Sequence, residues 1–200
     1  MTSTNAFSIY MQVCGGYGNG KAQMIRHFLE KPWTFDPHCY LGDAGDSQYN
    51  MTFDGYTFDL WALTDHPIGD WESYYRIYSA FPRTRDIVLI IYDRANVWGF
   101  ECSTKKYLVE AHLEMHKNLQ AELRKKNTAA NQRQANCVFA LVGLQKYEND
   151  EPTPEECDYW KNSKYVSTED GEALAKTIPN CRYFEVVLST GAGVDDVFNY

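Results

Sequence analysis

The stretch Val13-Cys14-Gly15-Gly16-Tyr17-Gly18-Asn19-Gly20-Lys21-Ala22 limits the folds open to this chain more than any other. An apolar run from Phe7 to Val13 precedes it and reads as a buried strand. The residues that follow, Gln23 to Leu29, space their apolar side chains as a helix does. Strand, glycine turn, lysine and helix in that order form the context of a phosphate-binding loop, G-x-x-x-x-G-K-[ST]. Gly15, Gly20 and Lys21 occupy the fixed positions. The glycines let the backbone turn its N–H groups toward one point, and the helix adds partial positive charge at its start. The candidate phosphate-binding residues are therefore Gly16, Tyr17, Gly18, Asn19, Gly20, Lys21 and Ala22. Ala22 stands where a Ser or Thr hydroxyl would hold Mg²⁺, and a methyl group cannot. The alternative is a glycine turn that holds no ligand, with Lys21 replacing a phosphate's electrostatic role inside it.

The rest of the chain continues the pattern. Lys31-Pro32-Trp33-Thr34-Phe35-Asp36-Pro37 ends the first helix. Gln48–Phe53 and Tyr56–Leu63 read as two strands around Asp54-Gly55, a tight-hairpin signal. A helix is expected from about Trp71 to Ala80, with Trp61 and Trp71 as packing residues. Asp86 to Tyr92 is β-branched and apolar, as a central parallel strand requires. Ser103–Lys126 reads as the longest helix, with Leu108, Ala111, Met115, Leu119 and Leu123 in one stripe. Further strands are expected at Cys137–Gly143 and Tyr183–Leu188. Ser167-Thr168-Glu169-Asp170 has capping-box form for a helix through Ala175, and Val194–Tyr200 opens a last, short helix. Strands alternating with helices mean an α/β domain with a mainly parallel sheet and one antiparallel hairpin at its edge.

Composition removes several function classes. With 200 residues the chain makes one domain, 1–200. A net charge of −8 argues against binding a nucleic-acid polymer. Cys14, Cys39, Cys102, Cys137, Cys157 and Cys181 show no C-x-x-C spacing and read as reduced thiols. With no leader or long apolar span in view, a cytoplasmic location is expected. His112 and His116 lie four apart on one helix face, but the intervening Glu114 is misplaced for H-E-x-x-H and no third ligand is evident.

In this order, the strings resemble the Ras superfamily of small GTPases, and the Rho family in particular. Phe81-Pro82, Thr84 and Asp86-Ile87-Val88-Leu89-Ile90 resemble Y-P-x-T-D-V-x-L-I. Gly171-Glu172-Ala173-Leu174-Ala175-Lys176 resembles G-x-A-L-A-K. Tyr183-Phe184-Glu185 and Gly193-Val194-Asp195-Asp196-Val197-Phe198 resemble Y-x-E and G-V-x-x-V-F. The resemblance implies a six-stranded, mainly parallel sheet with helices on both faces, a Rho-type insert helix near 152–162, and a truncated final helix. GTP or GDP with Mg²⁺ is the implied ligand set, and GTP hydrolysis the implied activity.

The same alignment finds the chemistry eroded. From Phe35 to Met51 no Thr is available for Mg²⁺ and the γ-phosphate. The D-x-x-G motif falls on Thr64-Asp65-His66-Pro67, with Ile68 where the water-orienting Gln belongs. A one-residue shift restores Asp65 as a weak metal ligand but puts Ile68 at the Gly position. The guanine motif [NT]-K-x-D falls on Leu144-Gln145-Lys146-Tyr147, so Gln145 and Tyr147 take the base-reading positions, and S-A falls on Val187-Leu188. No catalytic residue is therefore assigned. The expectation is a pseudo-GTPase that binds a protein effector or regulator through loops 36–50 and 64–80. The alternative is an atypical switch that binds GTP or GDP and hydrolyses little or none. No prenylation cysteine follows Phe198-Asn199-Tyr200, so no lipid anchor is expected, and the short last helix leads us to expect self-association.

Overall fold

The fold is taken from a computed structural model, which describes residues 8–15, 20–29, 34–35, 47–53, 56–62, 86–110, 113–114, 117–118, 121, 137–146 and 165–199. The strands are β1 (Ser8–Gly15), β2 (Thr34–Phe35), β3 (Ser47–Phe53), β4 (Tyr56–Ala62), β5 (Ile87–Asp93), β6 (Val138–Gln145) and β7 (Cys181–Val187). They form one sheet in the order β2-β3-β4-β1-β5-β6-β7. The β1–β4, β1–β5, β5–β6 and β6–β7 pairs are parallel; β2–β3 and β3–β4 are antiparallel. Six full strands are thus present, joined at one edge by β2 with only two residues. β3 and β4 pair up to Phe53 opposite Tyr56, the register expected of a hairpin between these two strands.

Alternation along the central strands divides the core in two. Leu89 and Ile91 of β5 join Met11, Val13, Leu60, Ala140 and Val142 in one cluster. Val88, Ile90 and Tyr92 join Cys14, Phe139 and Leu141 in the other. The helix α1 (Lys21–Leu29) supplies Met24, Ile25, Phe28 and Leu29 to the first cluster, a spacing that keeps all four on one helix face. The short α4 (Val194–Phe198) joins that cluster through Val194 and Val197, and its Phe198 ring stacks on Phe28 with centroids 3.5 Å apart. This contact explains how so short a helix persists, because a stub of this length needs tertiary docking.

The helix expected from Ser103 begins earlier. The Asn96 side chain accepts a hydrogen bond from the Gly99 N–H at 2.7 Å and starts the helix there. Val97 and Trp98 open it with α winding, α2 (Gly99–Val109) has the wider π winding, and the residues described beyond it, up to Ala121, are helical. Phe100, Thr104, Leu108 and Val109 are buried. In an α-helix, Phe100 and Val109 would point to opposite sides; the wider i→i+5 turn returns both to the sheet. Of the expected stripe, Leu108 is buried as read, whereas Ala111, Met115, Leu119 and Leu123 lie outside the described residues.

In α3 (Thr168–Ala175) the capping box is complete. Ser167 accepts from the Asp170 N–H, and the Asp170 carboxylate accepts from the Ser167 N–H. The helix expected at 71–80 and the insert near 152–162 lie outside the described residues. No described helix is long and apolar enough to cross a membrane.

Candidate functional site

Open parallel sheets bind ligands beyond the carboxyl ends of their strands, where the chain connections reverse direction. That point is β1 here. The chain runs from β1 to the β3–β4 hairpin on one side and then to β5 on the other. The β1–α1 connection, which carries the glycine loop, leaves from this point.

The ends of the loop are described, and residues 16–19 are not. Gly20 has φ +88°, a conformation that L side chains rarely adopt, so glycine here is required by the backbone. Its carbonyl accepts from the Met24 N–H at 3.0 Å, the first turn of α1. Lys21 is buried and its ammonium donates to the Gly15 carbonyl, which bridges the two ends of the loop. Position 22 lies in the first turn of α1.

Two leucines from distant strands meet this junction. A Cβ on Gly20 would run into the Leu188 side chain and lie 3.3 Å from Leu144 Cδ1. Leu144 is on β6 and Leu188 follows β7; both are buried. The turn carrying Leu188 is tied down on several sides. Its N–H donates to the Gln145 carbonyl at 2.8 Å, and the Ser189 N–H donates to the Lys146 carbonyl at 3.0 Å. His27 of α1 donates from Nε2 to the Leu188 carbonyl at 2.6 Å. The structure thus brings together Gly20, Lys21, Leu144 and Leu188. Gln145 ends β6 opposite Val187, close to this group in the sheet. Tyr147, Asp65, most of loop 36–50 and all of loop 64–80 except their continuation into strands lie outside the described residues; Ser47–Asn50 open β3.

A second polar cluster escaped the sequence reading. Arg94 pairs with Glu185 at 2.8 Å, and its Nε donates to the Val166 carbonyl at 3.1 Å. The Glu185 carboxylate also accepts from Thr168 Oγ1 at 2.6 Å and from the Tyr183 hydroxyl at 3.0 Å. The Tyr92 hydroxyl donates to that of Tyr183 at 3.2 Å. Gly143 and Gly171 leave room for these rings: a Cβ at Gly143 would lie 2.7 Å from the Tyr183 oxygen, and one at Gly171 would lie 2.5 Å from its ring. Burial raises the pKa of both tyrosines, with Tyr183 raised further by the Tyr92 hydroxyl and the Glu185 charge. Burial also pushes the neighbouring Cys181 thiol up to about 12. The neutral forms are therefore the ones the fold holds. Every named polar group in this cluster has a partner, and it reads as a tie between β5, β7 and α3. Only the paired Gly143 and Gly171 hint at it in the sequence, and nothing local relates them.

Comparison with family models finds none that matches this chain, and no curated protein matches it either. Among the described residues, no group of three or more His, Cys, Asp or Glu is placed to hold a metal ion. His112, His116 and Asp65 lie outside that search.

Proposed function

We propose that this chain is a Rho-like small-GTPase-fold signalling protein that acts as a protein-binding module and does not turn over GTP. The strand order, with a glycine loop and Lys21 leaving the central strand at the switch point, supports a P-loop domain with helices on both sheet faces. The observation that carries the functional reading is the packing of Leu144 and Leu188 against Gly20. These leucines stand where the resemblance places a polar guanine-motif residue and a small residue. The leucine side chains met at Gly20 have neither donor nor acceptor to give a guanine base. Ala22 removes the Mg²⁺-binding hydroxyl, and Pro67 and Ile68 offer no side chain to orient water. Protein partners are then expected at loops 36–50 and 64–80.

The test is phosphate release from GTP with Mg²⁺, measured for the wild-type chain and for Lys21→Ala. Equal, background rates are expected. Mg²⁺-dependent turnover above the Lys21→Ala rate would overturn the proposal and favour the atypical GTPase reading.

A further inference from the structure

In α2 the winding of the helix and its packing compete. The π stretch runs for 11 residues, Gly99–Val109. Such winding is rare, occurs mostly as single turns inside α-helices, and is frequent at functional sites. The contact with the sheet accounts for it here. Phe100, Leu108 and Val109 all join the cluster that contains Cys14, Val88 and Ile90, and α winding would turn Val109 away from Phe100. Docking therefore holds the π form, and away from the sheet nothing opposes a return to α winding. The sheet beneath carries a second unfavourable group. Gln12 lies two residues before Cys14 on β1 and in register with Val88 on β5, so it belongs to the face that α2 covers. Both of these strands pack against α2. Gln12 is 4% exposed, and neither of its amide atoms has a hydrogen-bond partner among the described residues. The cost of such an amide lasts as long as the site is closed and ends when water reaches it.

We infer that α2 is a strap poised to open: it lifts from β1 and β5 as a unit, short of global unfolding, and admits water to Gln12. This goes beyond the proposed function and does not rest on the glycine loop. Two features, one in the helix and one in the sheet, weaken the same contact, while burial of Phe100, Leu108 and Val109 holds it. Local openings are drawn from the least stable contacts of a fold. The sheet can stay intact as the strap lifts, because β1 remains paired with β4 and β5. Opening also uncovers Cys14, whose thiol is fully buried and donates to the Leu89 carbonyl at 3.3 Å. That thiol reports the open state.

Hydrogen exchange of the full chain, read peptide by peptide by mass spectrometry, tests the inference, together with labelling of Cys14 by a thiol reagent. In the wild type, the amides of Gly99–Val109 are expected to exchange about tenfold or more faster than those of β5, with Cys14 labelled in step with them. Gln12→Met removes the unpartnered amide from the closed state and should slow both by about fivefold or more. Leu108→Ala weakens the docking of α2 and should speed both; Leu108→Val serves the same comparison should the alanine variant not fold. Exchange of α2 no faster than that of β5 would overturn the inference, because the helix would then leave the sheet only when the whole chain unfolds. So would fast exchange that Gln12→Met leaves unchanged, the mark of a helix that frays without uncovering Gln12.

Discussion

Replacing Gln12 by methionine should make this protein more stable. Gln12 lies on β1, the strand at the centre of the sheet, in register with Trp61 on one side and Val88 on the other. Its residue exposure is 4%, and among the described residues neither its amide nitrogen nor its amide oxygen finds a hydrogen-bond partner. A buried donor or acceptor left without a partner costs about 1–3 kcal/mol. Methionine matches the length and flexibility of glutamine and carries no group that needs a partner. The gain for Gln12→Met is therefore about 1–3 kcal/mol, which for a domain of this size raises the midpoint by about 2–12 °C. Urea unfolding followed by circular dichroism reads the change, and an unchanged m value would show that the denatured state is not the cause. Gln12→Ala should gain less or lose stability, since it also leaves a cavity. A Gln12→Met protein less stable than wild type by about 1 kcal/mol or more would refute the reasoning, because it would mean that the amide has a partner whose loss is felt.

Two further outcomes follow from the packing and the titrations. Phe198→Ala removes the ring stacked on Phe28 and should cost about 1–3 kcal/mol, short of a fully buried phenylalanine because Phe198 is only partly covered; thermal unfolding checks it, and an unchanged midpoint would show that α4 adds nothing to the core. The raised pKa values of Cys181, Tyr92 and Tyr183 give stability that is complete below the unfolded values and is lost as pH rises through the folded ones. Stability should therefore fall from about pH 9 upward, and Cys181→Ala should flatten the part of that fall between about pH 9 and pH 12; a slope unchanged by the substitution would show that the thiol does not contribute.

Local chemistry made much of the fold readable. The Asp54-Gly55 string between two strand-like runs signalled the β3–β4 pairing, Ser167 and Asp170 marked a helix start, and β-branched runs marked β5 and β6, because each signal acts between near neighbours in the chain. The start of α2 was harder. Its cap is Asn96, but Trp98 is exposed beside it and the buried set Phe100, Thr104, Leu108 and Val109 does not follow a 3.6-residue period. The site divides the same way. Gly20 and Lys21 announce themselves by spacing, whereas Leu144 and Leu188 read only as departures from a motif. That both touch Gly20 depends on β6 and β7 lying beyond β5, a pairing that no short stretch encodes. The tie from Arg94 to Glu185, Thr168 and Tyr183 is non-local in the same sense.

Arg94 also decides where this chain can change length. Its N–H donates to the Leu144 carbonyl, and its own carbonyl accepts from the Val166 N–H, so one residue holds the chain both where it leaves β6 and where it returns ahead of α3. Residues 147–164 thus depart from and come back to a single anchorage. Lengthening a loop whose ends are already fixed adds little entropy cost, about 0.6 kcal/mol for a doubling. A change of length between Tyr147 and Lys164 is therefore expected to leave the register of β6 against β7 in place. That makes this span a socket into which a new recognition element could be fitted, while the sheet and the glycine loop stay as they are.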